Sequence, residues 1–232
     1  MLQLPTKPEI DFRTMKLLVA IIALSLGPTV IWLSTQHLPS ISFAYCDGKS
    51  ARNAFVGFLY AIAAIMIAHN GANFQELVAS KIAGISAIGI AMWPTKECPI
   101  SIGFNPHYLC AAVMFTTLAW FCLSFYRRAE HKPHPVYAAR RRAVYAACGV
   151  GIVGTMLSMG AVSQFELWPH TNAILILETI GLALFGFSWL IASHVVPAFD
   201  HPSERVLLGV TMPVRSQPQE LKPGHINNSA KQ

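Results

Sequence analysis

Apolar residues in this chain run in long, nearly unbroken blocks. They do not alternate as in a half-buried strand, nor form the narrow stripe of a soluble amphipathic helix. Six blocks approach the ~18–20 residues that a helix needs to cross hydrocarbon. They place helices at about 15–35, 52–69, 79–94, 107–126, 143–162 and 171–195. The breaks between them carry turn chemistry, such as Asn70-Gly71-Ala72-Asn73 and the prolines 94, 99, 106, 133 and 135. Gly27 and Pro28 predict a kink in the first helix. Alanines 83, 87 and 91 in the third, and Ala143, Ala147 and Gly151 in the fifth, recur every four residues and predict smooth faces for close helix packing. The expected fold class is therefore all-α, a polytopic bundle of six transmembrane helices. It spans residues 15–196, with a short polar lead at 1–14 and a disordered tail at 197–232.

Composition strengthens this reading. Of the 232 residues 53% are hydrophobic and only 12% charged, about half the charged share of an ordinary soluble domain. The first block is long and lacks a small-residue cleavage site before Gln36 and His37, so it reads as a retained anchor and not a removed signal peptide. The net charge of +6 does not point to nucleic acid, because the basic residues sit at the ends of apolar blocks and not on an aromatic-interleaved patch. Their distribution predicts orientation instead. With the amino terminus in the cytoplasm, 14 of the 17 lysines and arginines fall on the cytoplasmic side, leaving Lys49, Arg52 and Lys96 outside. The positive-inside rule then places both termini in the cytoplasm.

With that topology the outer side gathers Tyr45, Asp47, Arg52, Asn53, Thr95, His107 and, deeper in the sixth helix, Glu178. An ionised carboxylate inside a spanning helix is costly unless it is paired, protonated or facing a wet cavity. Arg52 is its expected partner, at a depth a long guanidinium side chain could bridge. The candidate ligand-binding set is Tyr45, Arg52, Asn53, Thr95, His107 and Glu178. The competing reading makes Arg52 and Glu178 a structural pin between two helices, and His107 a helix-start cap. Cys46 and Cys98 lie in loops on the same oxidising side and form a candidate disulfide. Cys110, Cys122 and Cys148 fall within apolar blocks, where cysteine packs as a small hydrophobe.

No metal site is expected, since no cysteine pair has C-x-x-C spacing. His69 and His194 invite a haem reading with two axial ligands, but their spacing is not distinctive and no cofactor is predicted. Hydrolase, zinc-protease and phosphate-loop motifs do not occur, so no catalytic residue is assigned.

Three stretches carry a family resemblance: Arg52-Asn53-Ala54-Phe55-Val56-Gly57, the run from Ala83 through Met92-Trp93-Pro94-Thr95, and the run from Glu178-Thr179-Ile180-Gly181 to Trp189. Together they resemble a group of uncharacterised bacterial six-helix inner-membrane proteins, a domain of unknown function. The resemblance implies a multi-pass protein of the bacterial inner membrane and supports the outer polar cluster as a unit; it implies no activity. The function expected is binding of a lipid or other small amphiphile in an outer-leaflet pocket, with membrane lipid as partner and the oligomeric state open. An enzyme acting on a lipid headgroup, with Glu178 or His107 as general base, and a small transporter are the alternatives.

Overall fold

The computed structural model describes residues 12–95, 105–165 and 172–202. Among them lie six α-helices and no strand: α1 Phe12–Leu33, α2 Lys49–Ala68, α3 Phe74–Met92, α4 Pro106–Glu130, α5 Pro135–Phe165 and α6 Ala173–Ala192. Each is long and apolar enough to cross a bilayer. Every helix packs on its neighbours in chain order, and α1 closes against α6, so the six form a ring. α4 and α6 also meet across its middle. Large apolar side chains such as Ile21, Trp32, Ile85, Val150, Leu157 and Ile176 point outward and stay exposed. A bundle apolar on both its inside and its outside is what lipid as solvent requires.

Small residues set the helix spacing. The expected stripe on α3 is present, with Ala83, Ala87 and Ala91 all buried. Beside it Gly84 lies so close to α2 that a Cβ there would come within 3.0 Å of the Ala63 carbonyl oxygen. The α5 stripe is a correction. Ala143 and Ala147 are exposed, because the face that α5 turns inward runs through Ala138, Arg141, Tyr145, Cys148 and Ile152. Gly151 faces Leu184 of α6, whose side chain a Cβ there would meet.

Helix ends differ from the expected ones in a consistent way. α5 begins at Pro135 and not near 143, and α4 runs on to Glu130. Hydropathy locates the edge of the apolar layer, whereas backbone hydrogen bonding carries a helix past it. At about 1.5 Å per residue, the 31 residues of α5 exceed the ~30 Å of hydrocarbon, and the excess holds Arg140, Arg141 and Arg142. α3 starts at Phe74, five residues before the expected start. Asn73 accepts the Glu76 N–H at 2.9 Å, and Glu76 accepts the Ala72 N–H at 2.8 Å, a variant of the capping box in which the carboxylate reaches the N–H one residue before the N-cap. Gly71 supplies the positive φ (+65°) of the preceding turn. The boundary expected at 197 also moves: residues 197–202 are placed against the bundle, with Asp200 fully buried. Residues 1–11 and 203–232, which hold the rest of the lead and tail, lie outside the described residues.

The ring has two chemically different ends. One is capped by residues 34–48, which join α1 to α2 and contain a 3₁₀ turn at Ser42–Tyr45; we call it the Tyr45 end. The other carries Arg13, Lys16, Arg128 and Arg141 and is called the Arg128 end. Between them Phe121, Phe185 and Trp189, all fully buried, pack ring against ring and fill the axis.

Candidate functional site at the Tyr45 end

The 34–48 segment is a lid held by four sets of polar contacts. Asp47 anchors it. The carboxylate is 2% exposed and accepts from the Ser34 hydroxyl, from the Thr35 N–H and hydroxyl at 3.0 Å each, and from the Gly48 N–H at 2.9 Å. The end of α1 is thereby fastened to the start of α2. The Ser34 hydrogen bond, outweighing the effect of burial, holds the Asp47 carboxyl below its ordinary value.

Glu178 is the second contact. Its Oε2 accepts the Ile41 N–H at 2.5 Å and its Oε1 the Ser42 hydroxyl at 2.9 Å. The lid also accepts from α6, through the Leu175 N–H to the Pro39 carbonyl at 3.1 Å. Third, Arg52 turns back onto Tyr45, donating to the phenol oxygen at 3.1 Å with its guanidinium 4.4 Å from the ring centre. Fourth, Cys46 Sγ lies 3.8 Å from Thr95 Oγ1, and Thr95 is buried. Cys46 is disulfide-bonded; its expected partner Cys98 lies outside the described residues.

Below the lid is a partly open cavity of about 50 Å³, walled by Leu26, Phe55, Ile62, Met114 and other apolar side chains of five helices. Ser42 and Glu178 are the two polar residues that line it. A carboxylate that the lid's own donors satisfy, at the edge of an otherwise apolar void, is suited to receive a donor group from an apolar molecule, but only when the lid lets go.

The structure divides the expected set. Glu178 lines the cavity, and Tyr45 belongs to the lid above it. Arg52 does not pair with Glu178, which is a correction: it is exposed and spends its guanidinium on Tyr45. Asn53 is exposed beside it on α2. His107 is 1% exposed and does not line the cavity. Its Nδ1 lies 2.8 Å from the Trp93 carbonyl, and Asn105 caps its N–H and donates to the Pro94 carbonyl, so it ties α4 to the end of α3. Ser42 and the Ile41 amide were not expected, and no local signal marks them, since an amide and a serine in a turn acquire meaning only when α6 is laid beside them. Among the described residues no group of three metal-binding side chains occurs.

Two predictions follow from this geometry. Because Arg52 and Glu178 hold different partners, the losses from Arg52→Met and Glu178→Gln should add to within about 0.5 kcal/mol in a double-mutant cycle read by thermal denaturation in detergent. A larger coupling would mean that the two side chains meet. Asp47→Ala should lower the melting temperature by roughly 2–4 °C, given the hydrogen bonds lost. The native contribution should also be pH-dependent. Asp47 titrates lower folded than unfolded, so its stabilisation is present above about pH 4 and is lost as the pH falls through the depressed folded value. A wild-type minus Asp47→Ala difference that persists unchanged at low pH would contradict this.

Fold and site together define a class, a multi-pass α-helical bundle built for a membrane, with a lidded cavity at one end. No protein-family model matches the chain, and a search of curated proteins and one of solved structures each returned no match.

Proposed function

We propose that this is a multi-pass protein of the bacterial inner membrane, with the Arg128 end cytoplasmic, that binds a small amphiphile beneath the 34–48 lid. The observation that carries this reading is Glu178, a carboxylate that with Ser42 lines an otherwise apolar cavity and is latched by the lid's Ile41 amide and Ser42 hydroxyl. The cavity of about 50 Å³ is smaller than the ~150 Å³ that admits benzene. Binding therefore requires Ile41, which lines the cavity, to withdraw. A ligand hydroxyl or ammonium then replaces the lid's two donors on Glu178, while its apolar body takes the space that Ile41 leaves. The orientation rests on the clustering of arginine and lysine at one end.

The test is mass spectrometry of molecules retained through mild detergent purification, comparing wild type with Glu178→Gln and Glu178→Leu. The amide keeps an acceptor for the lid, so Glu178→Gln should fold and retain a neutral ligand more weakly, by about tenfold, whereas Glu178→Leu should lose it. If wild type retains no small molecule beyond those that both variants carry, the cavity is packing space, Glu178 is a lid latch, and the reading fails.

A further inference from the structure

At the opposite end the four helices α1, α4, α5 and α6 surround a second void, of about 240 Å³. Its walls include Arg13, Lys16, Arg128, Lys132 and Arg141, with His194 beside them. Among the described residues two carboxylates stand near these cations, and both are engaged. Glu76 accepts from Arg128 at 3.2 Å, from the Ser124 hydroxyl at 2.5 Å and from the Ala72 N–H. Asp200 accepts from Arg141 at 3.2 Å and from His194 at 2.6 Å. Lys16 lies 5.5 Å from the centre of the Phe125 ring and has no carboxylate within ion-pair distance among the described residues. Lys16 and Lys132 add positive charge to the void beyond the two carboxylate-paired arginines, and an anion with several acceptor oxygens offsets that excess. The planar arginine forks suit phosphate oxygens, and a lysine serves as a point charge beside them.

A neighbouring feature favours a lipid as the source of such a phosphate. Between α4 and α5 runs an apolar groove of about 520 Å³, lined by Trp120, Leu123, Gly149, Val150 and Val153, and Tyr145 forms a wall of both groove and basic void. The exposed face of that groove is the part of the ring that lipid tails would touch. A headgroup in the void places its chain within reach of the groove. Basic pockets between spanning helices on the positive side are suited to anionic headgroups. We infer that the void at the Arg128 end is a binding site for the phosphate of an anionic phospholipid whose acyl chain lies in the α4–α5 groove. This site is separate from the lidded cavity, and the aromatic fill of Phe121, Phe185 and Trp189 stands between them.

The experiment uses the full chain in mild detergent, titrated with phosphatidylglycerol, with phosphatidylcholine and with inorganic phosphate, and read by native mass spectrometry and thermal shift. Wild type should retain phosphatidylglycerol in preference to phosphatidylcholine, and added salt should weaken the binding. The double variant Lys16→Met/Lys132→Gln, which leaves both carboxylate pairs intact, should bind phosphatidylglycerol more weakly by on the order of 10- to 30-fold. Lys16→Arg/Lys132→Arg should bind like wild type, and Arg127→Gln, at the same end but outside the void, should change affinity less than about twofold. Stabilisation by inorganic phosphate with no preference between the two lipids would overturn the phospholipid assignment. Binding of neither probe, or an equal loss in Arg127→Gln, would overturn the site.

Discussion

Replacing Glu76 by alanine should cost about 3–5 kcal/mol of stability, one of the two largest losses expected from a single polar substitution near the Arg128 end. Three donors converge on this carboxylate, which is 0% exposed, and each performs a different task. The Ala72 N–H closes the cap of α3, the Ser124 hydroxyl ties α3 to α4, and the Arg128 guanidinium brings the countercharge. Alanine removes all three at once. Losing a cap costs about 0.5–2 kcal/mol, leaving a buried hydroxyl without an acceptor about 1–3 kcal/mol, and breaking an ion pair whose carboxylate is buried is destabilising in itself. Glu76→Gln keeps an acceptor for one of the two neutral donors and should lose about half as much. Arg128→Met leaves the buried carboxylate with its two neutral donors. Combined with Glu76→Gln it should cost less than the sum of the two single losses, since neither charge is then stranded. Thermal denaturation of the four proteins in one detergent decides the matter, and additivity would show that the pair contributes nothing of its own.

Asp200→Ala should have an effect of similar size, about 3–5 kcal/mol, for a different reason. Its carboxylate stands against Arg141, whose side chain is only 2% exposed, and the alanine leaves that guanidinium buried opposite nothing of opposite sign on Asp200's side. His194, held at φ 62° just past α6, loses its carboxylate contact in the same step. The chain after α6 should then detach, and limited proteolysis within residues 197–202 reads this directly: rapid cleavage in Asp200→Ala, protection in wild type. Pairing the substitution with Arg141→Leu should recover much of the stability, because two apolar side chains of suitable volume can replace a buried pair at little cost. Unchanged proteolysis would mean that contacts other than the ion pair hold the segment.

These two pairs show where reading the chain residue by residue succeeded and where it fell short. Glu178 stands out in sequence because it interrupts an apolar run, and it does line a cavity. Glu76 is the more completely buried carboxylate, yet it lies before the apolar run begins, where a charge looks like ordinary loop chemistry. Its signal was present as Asn73-x-x-Glu76, a capping-box spacing that would have moved the start of α3 to its true place. Asp200 gave no signal, since it sits among prolines and polar residues in a stretch whose composition predicts disorder. Arg52 failed in the opposite sense. Being charged at a helix entrance made it an attractive partner for Glu178, but Tyr45 lay seven residues away in the lid, and a local aromatic acceptor was nearer than a carboxylate on another helix.

By itself the sequence determined the number of helices, their membrane-crossing length and the uneven division of basic charge. All of these follow from transfer energies and backbone satisfaction, which act on each segment separately and need no knowledge of its neighbours. Only the tertiary structure decided that α1 closes on α6 to make a ring, that the Ile41 amide and Ser42 rest on Glu178, and that four helix ends enclose a basic void. Those outcomes depend on which faces meet. In a chain apolar on all sides the hydropathy pattern does not distinguish an inward face from a lipid-facing one, so small-residue contacts such as Gly84 against Ala63 and directional polar bonds make that choice.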